Sequence, residues 1–491
     1  LLAAIMIRAM SVALLWAVSG MPSTGGEGEL KAMGKKTMDN LYRETWRPQF
    51  HFSPKRGWAN DPNGLVCYKG EYHLFFQHNP FGVNWGNMTW GHAISKDLVH
   101  WEQLPDAIEP DGLGTIFSGS AVVDHENTTG FQTGREKPLV AIYTAAGGTS
   151  PESQGQPFTQ CIAYSNDRGR TWTKYAKNPV LPHIIGSNRD PKVVWHAPTR
   201  RWIMALFLDG NDYGFFSSLD LKEWKHLHNI TVPGCSECPD FFEMPVDGNS
   251  QNRRWVWTAA DGRYLVGTFD GQRFTPEGDL KQTDYGANCY AVQTYSDIPP
   301  SEGRRIQIAW MAGGTYPEMP FNQQMSFPCE MRLKTFPEGV RLCRWPVKEI
   351  ESLYEKAYRW RNLILKPGKN PLSGIEGDLF DIEAEFEVKD ADEFGFRIRG
   401  EPVRYRGKEK SLSCLGKTAP LEPQNSRISL RVLVDRTSLE AFGNGGRVSM
   451  TSCFLPKAEA QGLEVYASGG TVRVISLKVH SLRSAWLAAH R

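Results

Sequence analysis

Trp58-Ala59-Asn60-Asp61-Pro62-Asn63-Gly64 stands at the head of two strand-like runs, Leu65-Val66-Cys67-Tyr68 and Glu71-Tyr72-His73-Leu74-Phe75-Phe76-Gln77. Taken alone, Asp-Pro-Asn-Gly reads as a type I turn. The aspartate accepts from the following backbone N–H groups, proline presets φ and glycine closes the turn. Two later stretches, Asn188-Arg189-Asp190-Pro191-Lys192 and Ser236-Glu237-Cys238-Pro239-Asp240, also set a carboxylate beside a proline just ahead of an apolar strand. Three such carboxylates amount to more than three turns only if the fold gathers them, and the chain between them suggests one that does.

Ser95-Lys-Asp97-Leu-Val-His-Trp101 recurs as Ser165-Asn-Asp167-Arg-Gly-Arg-Thr-Trp172 and as Ser218-Leu-Asp220-Leu-Lys-Glu-Trp224, with a weaker copy in Phe269-Asp270-Gly-Gln-Arg-Phe274. Each copy follows an alternating apolar strand and reads as a turn into an outer strand whose aromatic packs back on the sheet. All-β repeats at this spacing predict propeller blades of four strands, and residues 45–346 at roughly 60 per blade make five. Ile306-Gln-Ile-Ala-Trp310 and Met331-Arg-Leu333 fall in the last blade. Asp190 and Glu237 each follow a repeat tryptophan closely and so begin the next blade. Asp61 begins the first, and Phe117-Ser118-Gly119-Ser120 holds the same place after Trp101. The first strand of a blade lines the central channel, so Asp61, Asp190 and Glu237 are expected to converge on the axis.

Outside the repeats, Arg8 followed by Ala9 to Val18, interrupted only by Ser11, has the charged and apolar regions of a secretory signal. Residues 1–20 are therefore expected to direct a secreted or periplasmic protein. The apolar run is too short to span a bilayer, and no membrane span is expected. Residues 21–44 lack an apolar period and read as a linker. Val347-Lys-Glu-Ile350-Glu-Ser-Leu353-Tyr354 has helical spacing, which predicts a linker helix over 347–363. Alternating runs at 379–388, 394–398, 428–434, 438–442, 463–467 and 471–480 then predict a β-sandwich over 364–491. The expected fold is all-β, a five-bladed β-propeller followed by a C-terminal β-sandwich.

Composition narrows the function classes. A chain of 491 residues favours two domains. Its 56 Lys+Arg and 54 Asp+Glu nearly cancel and form no basic stripe, so nucleic acid is not an expected partner. Aromatic residues reach 11%, with 16 tryptophans; they serve either all-β cores or stacking on sugar rings. Nine scattered cysteines make no disulfide framework. Cys235-Ser-Glu-Cys238 lacks the second pair or nearby histidines of a zinc site, so no metal is expected. Asn87-Met-Thr, Asn127-Thr-Thr and Asn229-Ile-Thr are glycosylation acceptors in a host with that pathway.

In order along the chain, Trp58-Ala-Asn-Asp61-Pro-Asn-Gly, Trp90-Gly-His92, Phe117-Ser118-Gly-Ser, Arg189-Asp190-Pro-Lys and Glu237-Cys238-Pro-Asp240 resemble the motifs of glycoside hydrolase family 32, the invertases, levanases and inulinases. Asp435-Arg-Thr-Ser-Leu-Glu440-Ala-Phe442-Gly resembles the family's sandwich signature, and the likeness is closest to bacterial levanases and related exo-acting fructan hydrolases. The resemblance implies a retaining β-fructofuranosidase that takes a carbohydrate substrate, levan, inulin or sucrose, and needs no cofactor. It implies Asp61 as nucleophile, Glu237 as acid/base and Asp190 as transition-state stabiliser. Trp58, Asn60, Gln77, Trp85, Phe117, Ser118, Arg189, Tyr285 and Trp310 would line the pocket for the terminal fructose. Two departures stand out: Ser236 replaces an aromatic usual in levanases, and the 209–235 and 400–415 stretches are short.

The local sequence agrees with these roles. Asp61 at a turn start would be held ionised by backbone N–H donors. Glu237 lies among Cys235, Cys238, Pro239 and Phe241, a less polar setting suited to a general acid, with Asp240 pushing the same way. Arg189 beside Asp190 would keep that carboxylate charged. Three other readings use the same scaffold: a fructoside-binding protein without catalysis, a fructosyltransferase, and an inverting five-bladed enzyme acting on arabinan.

Overall fold

The repeated Ser-x-Asp segments turn each blade from its third strand toward its outer edge. In the computed structural model, which describes residues 41–457 and 459–486, Ser95, Ser165 and Ser218 donate through Oγ to Asp97, Asp167 and Asp220 at 3.1, 2.7 and 3.2 Å. Each aspartate then accepts from backbone N–H groups ahead of it, as at Val99 and His100, Arg170 and Thr171, or Lys222 and Glu223. Asp270 does the same with Gln272 and Arg273. The residue after each aspartate is left-handed: Leu98, Arg168, Leu221 and Gly271 have φ of 65°, 60°, 63° and 91°. The repeat is thus an Asx turn, in which a side-chain oxygen replaces a backbone acceptor.

Five blades of mainly antiparallel strands follow one another around an axis, the fourth and fifth joined in one nine-stranded sheet where Asp240–Val246 meets Cys329–Phe336. Their axial strands are Gly57–Tyr68, Thr115–Val123, Arg189–His196, Asp240–Val246 and Tyr290–Thr294, each lying against the next and the fifth against the first. The ring closes where Ser296 exchanges hydrogen bonds with Cys67 and Leu65 at 2.9 and 2.8 Å. Aromatic side chains fill the wedges between blades, among them Phe75, Trp90 and Tyr143 between the first two. Buried polar groups close the axis: Lys192 Nζ pairs with Asp240 at 3.2 Å and donates to the Thr294 carbonyl at 2.7 Å. Asp240 thus serves the axis as the partner of Lys192.

Asp-Pro-Asn-Gly is not a turn. It lies inside the strand Gly57–Tyr68, which carries two bulges against its neighbour Glu71–Asn79, between Ala59 and Pro62 and between Asn63 and Val66. Proline cannot donate to a ladder, and a bulge is where a strand tolerates it.

Residues 1–40, with the signal-like segment and most of the 21–44 linker, lie outside the described residues. The predicted linker helix over 347–363 is a correction: Lys348–Leu353 makes a 3-10 turn, and Tyr354–Leu365 is a strand at the edge of a six-stranded sheet, paired with Val472–Leu482. The reason is visible from Tyr358 on. Tyr358 and Trp360 pack on the sandwich core while Arg359 and Arg361 face solvent, a period of two that overrides the preceding helical spacing. A five-stranded sheet covers the other side of that core, with Phe386, Phe394, Phe396 and Tyr405 at its centre.

Propeller and sandwich meet across buried polar groups. His51 lies 2.8 Å from both Asp435 and Glu440, and Asp435 also accepts from the backbone of Gln49, Phe50 and His51. Nearby, Arg344 and Asp284 pair at 2.6 Å, and Asp284 accepts from Ser449 and Thr451 of the sandwich at 2.8 Å each. The Asp435 to Phe442 stretch is thus a docking element.

Candidate active site

The start of an axial strand delivers each carboxylate to one face of the ring. Asp61 sits in the first bulge of its strand, Asp190 is the second residue of Arg189–His196, and Glu237 lies just ahead of Asp240–Val246. The backbone is strained there: Asp190, Glu237 and Cys238 have φ of 64°, 58° and 37°. Non-glycine residues in this region cost on the order of 1 kcal/mol or more each and persist only where surroundings fix them. Here the Asp190 N–H donates to Thr144 Oγ1 at 3.0 Å, and Thr144 is itself held by Gln160.

Two carboxylates share a thiol. Cys238 Sγ lies 3.5 Å from Asp61 Oδ2 and 3.5 Å from Asp190 Oδ2, and the Cys238 N–H donates to Asp190 at 3.1 Å. Asp61 accepts from Ser118 Oγ at 2.5 Å and from Asn60 Nδ2 at 3.2 Å. Its donors are therefore side chains, because the bulge leaves no turn to supply backbone N–H groups. Trp58 Nε1 donates to Asn60 at 2.8 Å and orients that amide. Glu237 accepts from Arg189 Nη2 at 2.6 Å on one oxygen and from Tyr290 OH at 2.7 Å on the other. Its surroundings are polar where the sequence suggested an apolar pocket.

The electrostatics follow from burial and crowding. Burial raises the Asp61 carboxyl above the ordinary range; Ser118 and Asn60 pull it back and the Glu237 charge adds to the rise. Burial pushes Asp190 up to about 7, Arg189 opposes this, and the charges of Glu237 and Asp61 reinforce it. Arg189 acts on Asp190 as the sequence suggested, but from 3.7 Å through Nε, while its short contact, 2.6 Å through Nη2, goes to Glu237.

The other predicted residues divide. Trp85 and Phe117 stack edge to face at 6.0 Å, and Trp310 sits 6.2 Å from both Trp58 and Tyr290. Gln77 is buried on the second strand, in register with the bulged Asn60-Asp61. Tyr285 is not at the site: its ring packs on the sandwich core and its N–H donates to Ser449 at 2.8 Å. The tyrosine that reaches the carboxylates is Tyr290. Tyr285 precedes the fifth axial strand while the chain still runs along the sandwich; Tyr290 opens that strand, the position that identified Asp190 and Glu237. Cys238 was also missed as a site residue, because its spacing to Cys235 drew attention to metal chemistry.

Comparison with known proteins places this geometry in context. The profile described as "Glycosyl hydrolases family 32 N-terminal domain" matches residues 51–346, and "Glycosyl hydrolases family 32 C terminal" matches 349–481. A levanase of Bacillus subtilis is 45% identical over 494 residues, covering 91% of this chain and 72% of that protein. An extracellular exo-inulinase of Aspergillus niger is 32% identical, covering 91% and 96%. The crystal structure of exo-inulinase from Aspergillus awamori superposes with a TM-score of 0.82 at 31% identity, over 91% of this chain and 100% of that one. Fructofuranosidase from Schwanniomyces occidentalis, complexed with fructose, gives 0.81 at 29% identity, over 90% and 99%.

Proposed function

The chain belongs to glycoside hydrolase family 32, and on that premise we propose that it is a retaining, exo-acting β-fructofuranosidase that removes terminal non-reducing fructosyl residues from levan, inulin or sucrose. One observation carries the reading: three carboxylates from three blades meet at one site, two bridged by the Cys238 thiol and the third held by Arg189 and Tyr290. Asp61 attacks the anomeric carbon of fructose. Glu237 protonates the leaving oxygen and then takes a proton from the water that releases the sugar. Asp190 binds ring hydroxyls, and its charge offsets the oxocarbenium-like centre. The levanase and exo-inulinase relatives support the substrate class, and the signal-like segment with the extracellular Aspergillus relatives supports export.

The two main carboxylates are separable by leaving group. Asp61→Ala is expected to abolish turnover of sucrose and of an aryl fructoside alike, since nothing else forms the covalent intermediate. Glu237→Ala loses far more on sucrose, because a phenol leaves without protonation. Added azide then speeds breakdown of its fructosyl-enzyme. Equal loss on both leaving groups in the first step, or azide rescue of Asp61→Ala with net retention, overturns the assignment.

A further inference from the structure

Among the described residues, Lys192 is the only buried lysine, and the chemistry above gives it no role. A buried ammonium persists only where partners replace its water. Here they form a closed ring. Lys192 Nζ lies 3.2 Å from Asp240 Oδ1 and donates to the Thr294 carbonyl at 2.7 Å, and the Thr294 N–H donates to Asp240 Oδ2 at 2.6 Å. Each member comes from a different axial strand, Arg189–His196, Asp240–Val246 and Tyr290–Thr294. Among the described residues no ladder joins these three strands to one another. The first belongs to a separate four-stranded sheet, and Cys329–Phe336 and Ile306–Trp310 stand between the other two. Backbone bonds do not cross the wedge between blades, so a long side chain does.

The same three strands meet again at the carboxylates. Asp190 precedes Lys192 by two residues, Glu237 precedes Asp240 by three, and Tyr290 precedes Thr294 by four. At about 3.3 Å per residue the ring lies no more than roughly 13 Å from the reacting groups. Both groups that hold Glu237 ride on the tied strands: Arg189 Nη2 at 2.6 Å on one and Tyr290 OH at 2.7 Å on another. Asp61 stands on a strand outside the ring and takes its donors from Ser118 and Asn60. A slip of one tied strand therefore moves Glu237 relative to Asp61. Apolar side chains of equal volume hold a fold as well as a buried ion pair does. What they lack is a fixed direction, which the ring supplies.

We propose that Lys192 is a positioning residue for the acid/base. With Asp240 and the Thr294 carbonyl it sets the three strands so that Glu237 meets the leaving oxygen. The proposal rests on the β-fructofuranosidase reading. The test is kcat/KM, which reports the step from free enzyme and substrate to the first transition state, on sucrose and on an aryl fructoside. Two variants are compared with the wild type, each with its melting curve. Lys192→Met/Asp240→Asn removes both charges and leaves neither unpaired. Lys192→Arg keeps the charge but puts a planar fork where a compact ammonium sat. The double variant should lose about a hundredfold on sucrose and about tenfold on the aryl fructoside, whose phenol leaves without protonation. Lys192→Arg should lose about tenfold and about twofold. Both should still melt cooperatively. A loss on the aryl fructoside as large as that on sucrose, or no loss on sucrose, assigns the ring to stability alone and overturns the proposal. Failure of both variants to fold overturns it too. A wild type inert toward both fructosides sinks the hydrolase reading, and the proposal with it.

Discussion

At the scale of single residues the site is a compromise between charge and burial. Asp190 is 5% exposed, close to Glu237 and Asp61, and its carboxyl sits at about 7. The unfolded chain ionises this group near 4, so the folded state holds a proton that the unfolded state has lost. Stability from this group is therefore highest at low pH and falls as pH rises from about 4 through about 7. Asp190→Asn removes that cost. It should stabilise the protein by on the order of a few kcal/mol at pH 8 and by less than half as much at pH 5, while impairing turnover. Denaturant curves at the two pH values check the sign; a variant less stable than wild type at pH 8 shows that the Arg189 and Cys238 contacts outweigh the buried charge. Asp61 and Asp190 were legible because each directly precedes a proline, and Glu237 because it lies two residues ahead of one, each near the start of an axial strand. Tyr290 and Cys238 were not, because what marks them is contact with residues far away in the chain.

At the scale of elements, the strand Gly57–Tyr68 shows how local and tertiary signals compete. Pro62 and Gly64 make a turn in isolation, yet the apolar runs on both sides pull the segment into the sheet and leave bulges where the turn would be. Gly64 is the residue that permits this. Its φ is 53°, and a Cβ there would sit 2.6 Å from Phe75 and 3.0 Å from Trp90, both fully buried. Gly64→Ala should cost about 2 kcal/mol or more, from backbone strain and overpacking together. It should also lower kcat, because Gly64 lies in the second bulge, only three residues after Asp61 in the first. Thermal melting and sucrose turnover test this; a variant with wild-type stability removes the claim that the bulge is fixed by packing. The same competition decided the strand Tyr354–Leu365, where helical spacing in the first turn hid the alternation that follows. Strands such as Ser411–Cys414 and Lys417–Pro420 escaped the sequence reading because they are short and mostly small or polar. Their place is set by neighbours in the sheet.

At the scale of the whole molecule, the propeller was legible because its turn repeats, whereas the seam between the two domains was not, because its partners are nearly 400 residues apart. His51 is the centre of that seam. It is fully buried with one ring nitrogen on Asp435 and the other on Glu440, each at 2.8 Å. Burial alone would lower its pKa; the two carboxylates more than reverse this and lift it to about 9, while Asp435 is held below its ordinary value. The imidazolium therefore joins the domains as a charged bridge across neutral pH. Its folded-state value lies above the unfolded 6.5, so the stability it supplies is complete below about 6.5 and is lost as pH rises through about 9. The difference corresponds to on the order of 3 kcal/mol. His51→Gln can satisfy one carboxylate by a hydrogen bond but leaves two negative charges facing each other in the interior. The variant should lose about 3 kcal/mol or more at pH 7, and its stability should fall less steeply than that of the wild type between pH 7.5 and 10. Taking the difference between the two curves cancels the cysteines, tyrosines and lysines that titrate in the same range. If both proteins lose stability in parallel over that interval, His51 is neutral in the folded state and the bridge between the domains is an ordinary hydrogen-bond pair.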